Sequence, residues 1–146
     1  MGVRYHCLVG EAEEDDFSSS DFYFAGEVEL EFAGAPSLFL TWAENAGWND
    51  HFSLQVRKTT AFVPGAVRPF DAASMEMWQR HLQARVVSMA IVGWDETPHV
   101  LRIDFETGSV LVGTGCRDEF GEGDDMLSRE YDPALLPGSE VLWEAH

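Results

Sequence analysis

ARVVSMAIVGW (84–94), HVLRIDF (99–105) and SVLVG (109–113) form the stretch whose reading decides the fold. The first segment is apolar enough for a central strand. The second and third alternate as a β-hairpin, with Phe105 facing Val110 and Ile103 facing Val112. Gly108 then supplies the positive φ that the turn needs, while Arg102, Asp104 and Glu106 stay in water. A strand followed by a hairpin argues for an antiparallel sheet, and the rest of the chain reads the same way.

Working outward, VRYHCLV (3–9) is a first strand. FYFAGEVELEF (22–32) reads as a half-buried strand, with Val28, Leu30 and Phe32 inward and an acidic outer face of Glu27, Glu29 and Glu31. SLFLTWA (37–43) follows the turn AGAP. In HFSLQVR (51–57), Phe52, Leu54 and Val56 point inward. EVLWEA (140–145) adds an edge strand. The period changes once, at DAASMEMWQRHLQ (71–83). Asp71 is the expected N-cap, Met75, Trp78 and Leu82 make one stripe, Phe70 and Met75 form a staple, and Glu76 pairs with Arg80. The expected fold class is α+β: a predominantly antiparallel sheet of six to eight strands carrying one helix near 71–83, in a single domain over residues 1–146.

Charge is the strongest compositional signal. The 146 residues carry 26 acidic against 9 basic side chains, a formal net charge of -17, with 45% apolar and 12% aromatic residues. The apolar content fits a folded domain. The negative field disfavours direct binding to nucleic acid or anionic lipid and favours encounter with a basic protein. Solubility, or adaptation to a salty cytoplasm, is the plainer explanation of the same acidity. No apolar run reaches a membrane-spanning length of ~18 residues, and the acidic start MGVRYHCLVGEAEEDD argues against a secretory leader; the expected location is cytoplasmic. Cys7 and Cys116 read as free thiols rather than a disulfide.

The chemical motifs are mostly negative. In GTGCRDEFGEGDDMLSRE (113–130), an EF-hand register starting at Asp118 puts Gly123 correctly at position 6. It also puts Phe120 at position 3 and Arg129 at position 12, where acids belong, so that register fails. His6, His51, His81, His99 and His146 are scattered with no zinc spacing, and His6 and Cys7 fall on opposite strand faces. Phosphate-binding glycine patterns and a GxSxG elbow are absent. The expectation is therefore no catalytic residues, no metal and no cofactor. The candidate partner-binding residues are Asp118, Glu119, Glu122, Asp124 and Asp125, together with Trp48 and Asp50 from WAENAGWND (42–50). Acids beside an exposed tryptophan suit a basic protein surface.

RVVSMAIVGW (85–94) followed by PHVLRIDFETGSVLVG (98–113), with its DF-x-x-G turn, resembles small acidic bacterial immunity proteins that accompany polymorphic or contact-dependent toxins. The resemblance implies a single antiparallel-sheet domain without catalytic residues whose partner is a basic protein, such as a toxin. It carries over no functional residue. Two alternatives stand beside it: a small-ligand protein or enzyme with a pocket lined by tryptophan and carboxylates, and a structural accessory domain that oligomerises through a sheet edge.

Overall fold

The computed structural model describes residues 1–10, 22–44, 52–94, 97–116, 119–120, 123, 125–131 and 140–144. In chain order the elements are β1 (Gly2–Leu8), β2 (Phe22–Phe24), β3 (Gly26–Glu31), β4 (Leu38–Glu44), β5 (Phe52–Arg57) and β6 (Val67–Asp71). A 3-10 turn (Ala72–Ser74) and a single-turn helix α1 (Glu76–Gln79) come next. They lead into β7 (Val86–Trp94), β8 (Thr97–Phe105), β9 (Gly108–Cys116), β10 (Glu119–Phe120), β11 (Asp125–Glu130) and β12 (Glu140–Glu144).

Two antiparallel sheets result, where one sheet of six to eight strands was expected. The first runs β5-β4-β3-β1-β6; the second runs β12-β7-β8-β9-β11-β2, with β10 paired to the end of β9. Alternation explains why the sheets face one another. Val3, Tyr5 and Cys7 of β1, Val28 and Leu30 of β3, and Leu40 of β4 form one wall of the core. Ile91, Leu101, Ile103, Val110, Val112 and Met126 form the other. Part of the outer face of the second sheet is buried too: Val100, Leu111 and Leu127 make a second buried cluster against Tyr131. In β7 the consecutive residues Ala90, Ile91 and Val92 are all buried, which accounts for the apolar second half of that strand, while Val87 is 61% exposed.

Several expectations need correction. Residues 22–32 are two strands in different sheets, because the chain crosses from β2 to β3 at Ala25 and Gly26. Gly26 has φ 153°, and a Cβ there would lie 1.9 Å from the His6 carbonyl oxygen, so only glycine allows the crossing. Its glutamates are not a wet face either: Glu27 is 0% and Glu29 7% exposed. The hairpin register is shifted by two, with Ile103 opposite Val110, Leu101 opposite Val112 and Phe105 opposite Gly108. Every side chain keeps its face under an even shift. Gly108 does adopt positive φ, at 136°.

The helix is also shorter than expected. Asp71 accepts a hydrogen bond from the Ala73 N–H, but it caps only the 3-10 turn. Met75 is extended, with ψ 133°, and α1 restarts after it. Arg80 pairs with Glu130 at 2.9 Å rather than with Glu76. Val56 is 40% exposed, because β5 lies at a sheet edge where the opposite sheet no longer covers it.

Candidate functional site

One end of the sandwich gathers strand ends that are distant in sequence. The Phe52 carbonyl, at the start of β5, accepts hydrogen bonds from His99 Nδ1 in β8 and Thr114 Oγ1 in β9, both at 3.1 Å. His99 and Thr114 are buried, so this carbonyl is the knot that ties the first sheet to the second. Around it, Glu44 pairs with Phe52, Trp94 with Thr97, Cys116 with Glu119, and Asp125 with Gly115. Glu140 opens β12 opposite Gly93 at the same level.

The exit of β1 lies there too. The Leu8 N–H donates to the Ala25 carbonyl at 2.9 Å, and Thr41 Oγ1 in β4 donates to the Gly26 carbonyl at 3.2 Å. The strand ends that flank 11–21, 45–51, 95–96 and 117–124 therefore converge on one end, with the exception of the entry to β2. Of the predicted partner-binding residues, Glu119 sits in β10 and Asp125 at the half-buried first position of β11. Asp118, Glu122, Asp124, Trp48 and Asp50 lie outside the described residues. Half of the chain's acids, 13 of 26, lie outside the described residues with only Arg117 of the 9 basic ones.

Beneath this end, the Trp42 ring meets Phe52 edge-on at 5.3 Å. Trp42 Nε1 is buried and has no acceptor among the described residues. A buried indole donor without an acceptor is a cost to the fold that a ligand or partner oxygen could remove.

Neither family models, nor curated proteins, nor solved structures match this chain.

Several other polar groups among the described residues hold the framework. On the outer face of the first sheet, His6 Nε2 lies 2.7 Å from Glu29 Oε2, and Arg4 bridges Glu29 at 3.3 Å and Glu31 at 2.6 Å. Burial pushes the Glu29 carboxyl up, but the hydrogen bond and charge of His6, joined by Arg4, outweigh it and hold the group below its ordinary value. Glu27 accepts from the Thr60 hydroxyl and, at 3.0 Å, from the Ala61 N–H. The connection from β5 to β6 is thereby clamped across the outer face over β4. The signal for this arrangement was present in the sequence: Arg4 and His6 alternate in β1 with the same period as Glu27, Glu29 and Glu31.

A histidine oriented by a glutamate is half of an acid–base pair. The nearest thiol, Cys7, points to the other face of the same strand, into the core. Among the described residues, no group of three or more His, Cys, Asp or Glu side chains is arranged to hold a metal ion.

On the second sheet, Asp104 accepts from Ser88 and Ser109, each at 2.6 Å, and from Arg102 at 3.1 Å. Burial raises this carboxyl, and the hydrogen bonds with Arg102 more than offset it, so its pKa falls below the ordinary value. At the opposite end of the sandwich, His81 stacks on Phe105 at 4.7 Å and lies 2.7 Å from Thr107 Oγ1. Burial and the adjacent Arg80 depress its pKa, against a smaller opposing pull from Glu130. Two ion pairs lie at that end: Arg80 with Glu130, and Arg85 with Glu106 at 3.2 Å.

Proposed function

We propose that this protein is a binding module that docks a basic protein through the acidic end of the sandwich, in the manner of an immunity protein on its toxin, and that it acts in the cytoplasm. The observation that carries the reading is the convergence of strand ends on the Phe52 carbonyl. It anchors the flanks of the acidic segments on a rigid, two-sheet base. Acids distributed along the sequence thereby act as one negative surface, which raises encounter rates with a cationic partner and disfavours others. Among the described residues, the framework carboxylates Glu27, Glu29, Glu31 and Asp104 are already engaged in holding the sheets.

The experiment is capture of partners by the tagged full-length chain from a lysate of its source, washed at low and at high salt. A stoichiometric basic protein shed by salt supports the reading. Retention that ignores salt, or a captured partner that is acidic, overturns it.

A second reading rests on Trp42. Its Nε1, without an acceptor among the described residues and close to Phe52, suits a small ligand that offers an oxygen acceptor. Trp42 fluorescence would then shift with a small molecule and not with a basic protein.

A further inference from the structure

We propose that β5 is a self-pairing edge, and that two copies of this chain associate antiparallel along Phe52–Arg57. The inference goes beyond the partner-docking reading and does not rest on it.

An unpaired sheet edge presents a row of backbone donors and acceptors, and folded proteins blunt such edges with proline, bulges, charge or shortness. The two sheets have four edges. β6 carries Pro69 at its centre, which removes a backbone donor. β2 is only three residues long. β12 contains an irregularity between Val141 and Trp143, and Glu140 and Glu144 stand near its ends, so a symmetric pair there would set like charges against each other. β5 has none of these devices. It pairs with β4 in unbroken register over six residues, contains neither proline nor glycine, and pairs with no strand on its other side among the described residues.

Side chains and charge make a second copy the fitting occupant. A two-fold axis normal to the sheet keeps Phe52, Leu54 and Val56 on the same face in both copies. It sets Leu54 opposite Leu54, or Gln55 opposite Gln55. In either register Val56, which is 40% exposed on the core side, falls opposite an apolar residue, Phe52 or Leu54, of the second copy. The basic end of β5, Arg57 and Lys58, then runs toward the other copy's β5 start, where Glu44 is the β4 neighbour of Phe52. No like charges face each other across the pair. The two five-stranded sheets become one continuous sheet.

Sedimentation velocity of the full-length chain over a wide concentration range tests this directly. A reversible monomer–dimer equilibrium is expected, strengthened by added salt because each copy carries a formal net charge of -17. Val56→Lys, an inward-pointing charge at an already open position, is expected to weaken dimerisation by about tenfold or more. R57E/K58E changes only exposed residues and should also weaken it, which covers the case of a V56K variant that fails to fold. Hydrogen exchange of the 52–57 amides should slow as concentration rises. A wild-type chain that stays monomeric, a dimer undiminished in both variants, or exchange in β5 that ignores concentration would each overturn the proposal.

Discussion

Trp78 Nε1 donates a hydrogen bond to the Tyr5 hydroxyl at 2.6 Å, joining α1 to β1 across 73 residues of sequence. Both residues are wholly buried, and the Ser128 hydroxyl of β11 lies against the same phenol. One polar contact thus couples both sheets and the helix, and the phenol cannot be removed without leaving the indole donor stranded. Tyr5→Phe should lower unfolding free energy by about 1–3 kcal/mol, the cost of one unsatisfied buried donor, as read from the denaturant midpoint at constant m-value.

The same phenol gives an alkaline signature. Burial pushes the Tyr5 pKa from 10.0 up to about 12, against the opposing pull of the Trp78 hydrogen bond and the adjacent Ser128 hydroxyl. A raised folded-state pKa stabilises fully below the unfolded value and is lost as pH rises through the folded one. Stability should therefore fall between pH 10 and about 12 in the wild type, and less so in the Tyr5→Phe chain. Melting temperatures across that window check it.

Glu29 gives the acid counterpart. Its carboxyl is raised by burial but lowered further by His6 and Arg4, to a value under the ordinary 4.5. A depressed folded-state pKa contributes stability above the unfolded value, and that contribution disappears as pH falls through the folded one. Glu29→Gln should be less stable than wild type near neutrality, and the two should converge in acid below the folded pKa. Parallel pH–stability curves in the acid range would show that the His6–Glu29 contact has no net effect.

Gly26 should tolerate no side chain. Its Cβ position is 1.9 Å from the His6 carbonyl, whereas the positive-φ Gly34 has nothing within 4 Å. Gly26→Ala is expected to cost about 3 kcal/mol, at the upper end of ordinary single substitutions, and Gly34→Ala about 1 kcal/mol from its φ alone. Chemical denaturation of the two variants side by side separates the clash from the conformational term.

That glycine also shows where the sequence could be read and where it could not. Within 22–32 the expected inward residues Val28 and Leu30 are buried in the core and Phe32 packs against it, and Phe24 is buried there as well. Phe24 nevertheless belongs to the second sheet and Val28 to the first. The period of two continues unbroken through Gly26, so a facing pattern carries no trace of the change of sheet. The helix failed for a related reason. Met75 and Met77 are both buried, a spacing of two that one helix face cannot satisfy, and the backbone breaks at Met75 to bury both. Individual acids of the candidate surface were legible as candidates. Their common base was not, because the Phe52 carbonyl meets His99 and Thr114 across 47 and 62 residues. Arg4, His6 and Glu29 were visible as alternating residues, and only the register of β1 on β3 made them a cluster.

The most direct test of the docking surface compares two variants of equal net charge. D124N/D125N removes two acids at or beside the start of β11. E76Q/E106Q removes two exposed acids at the opposite end, in α1 and the β8–β9 turn. Association rates with the captured basic partner are measured by stopped flow over a range of ionic strength. The expected result is a slower rate and a shallower salt slope for D124N/D125N, with E76Q/E106Q close to wild type. Equal effects of the two variants would mean that net charge alone steers the encounter, and would contradict a docking surface at this end of the sandwich.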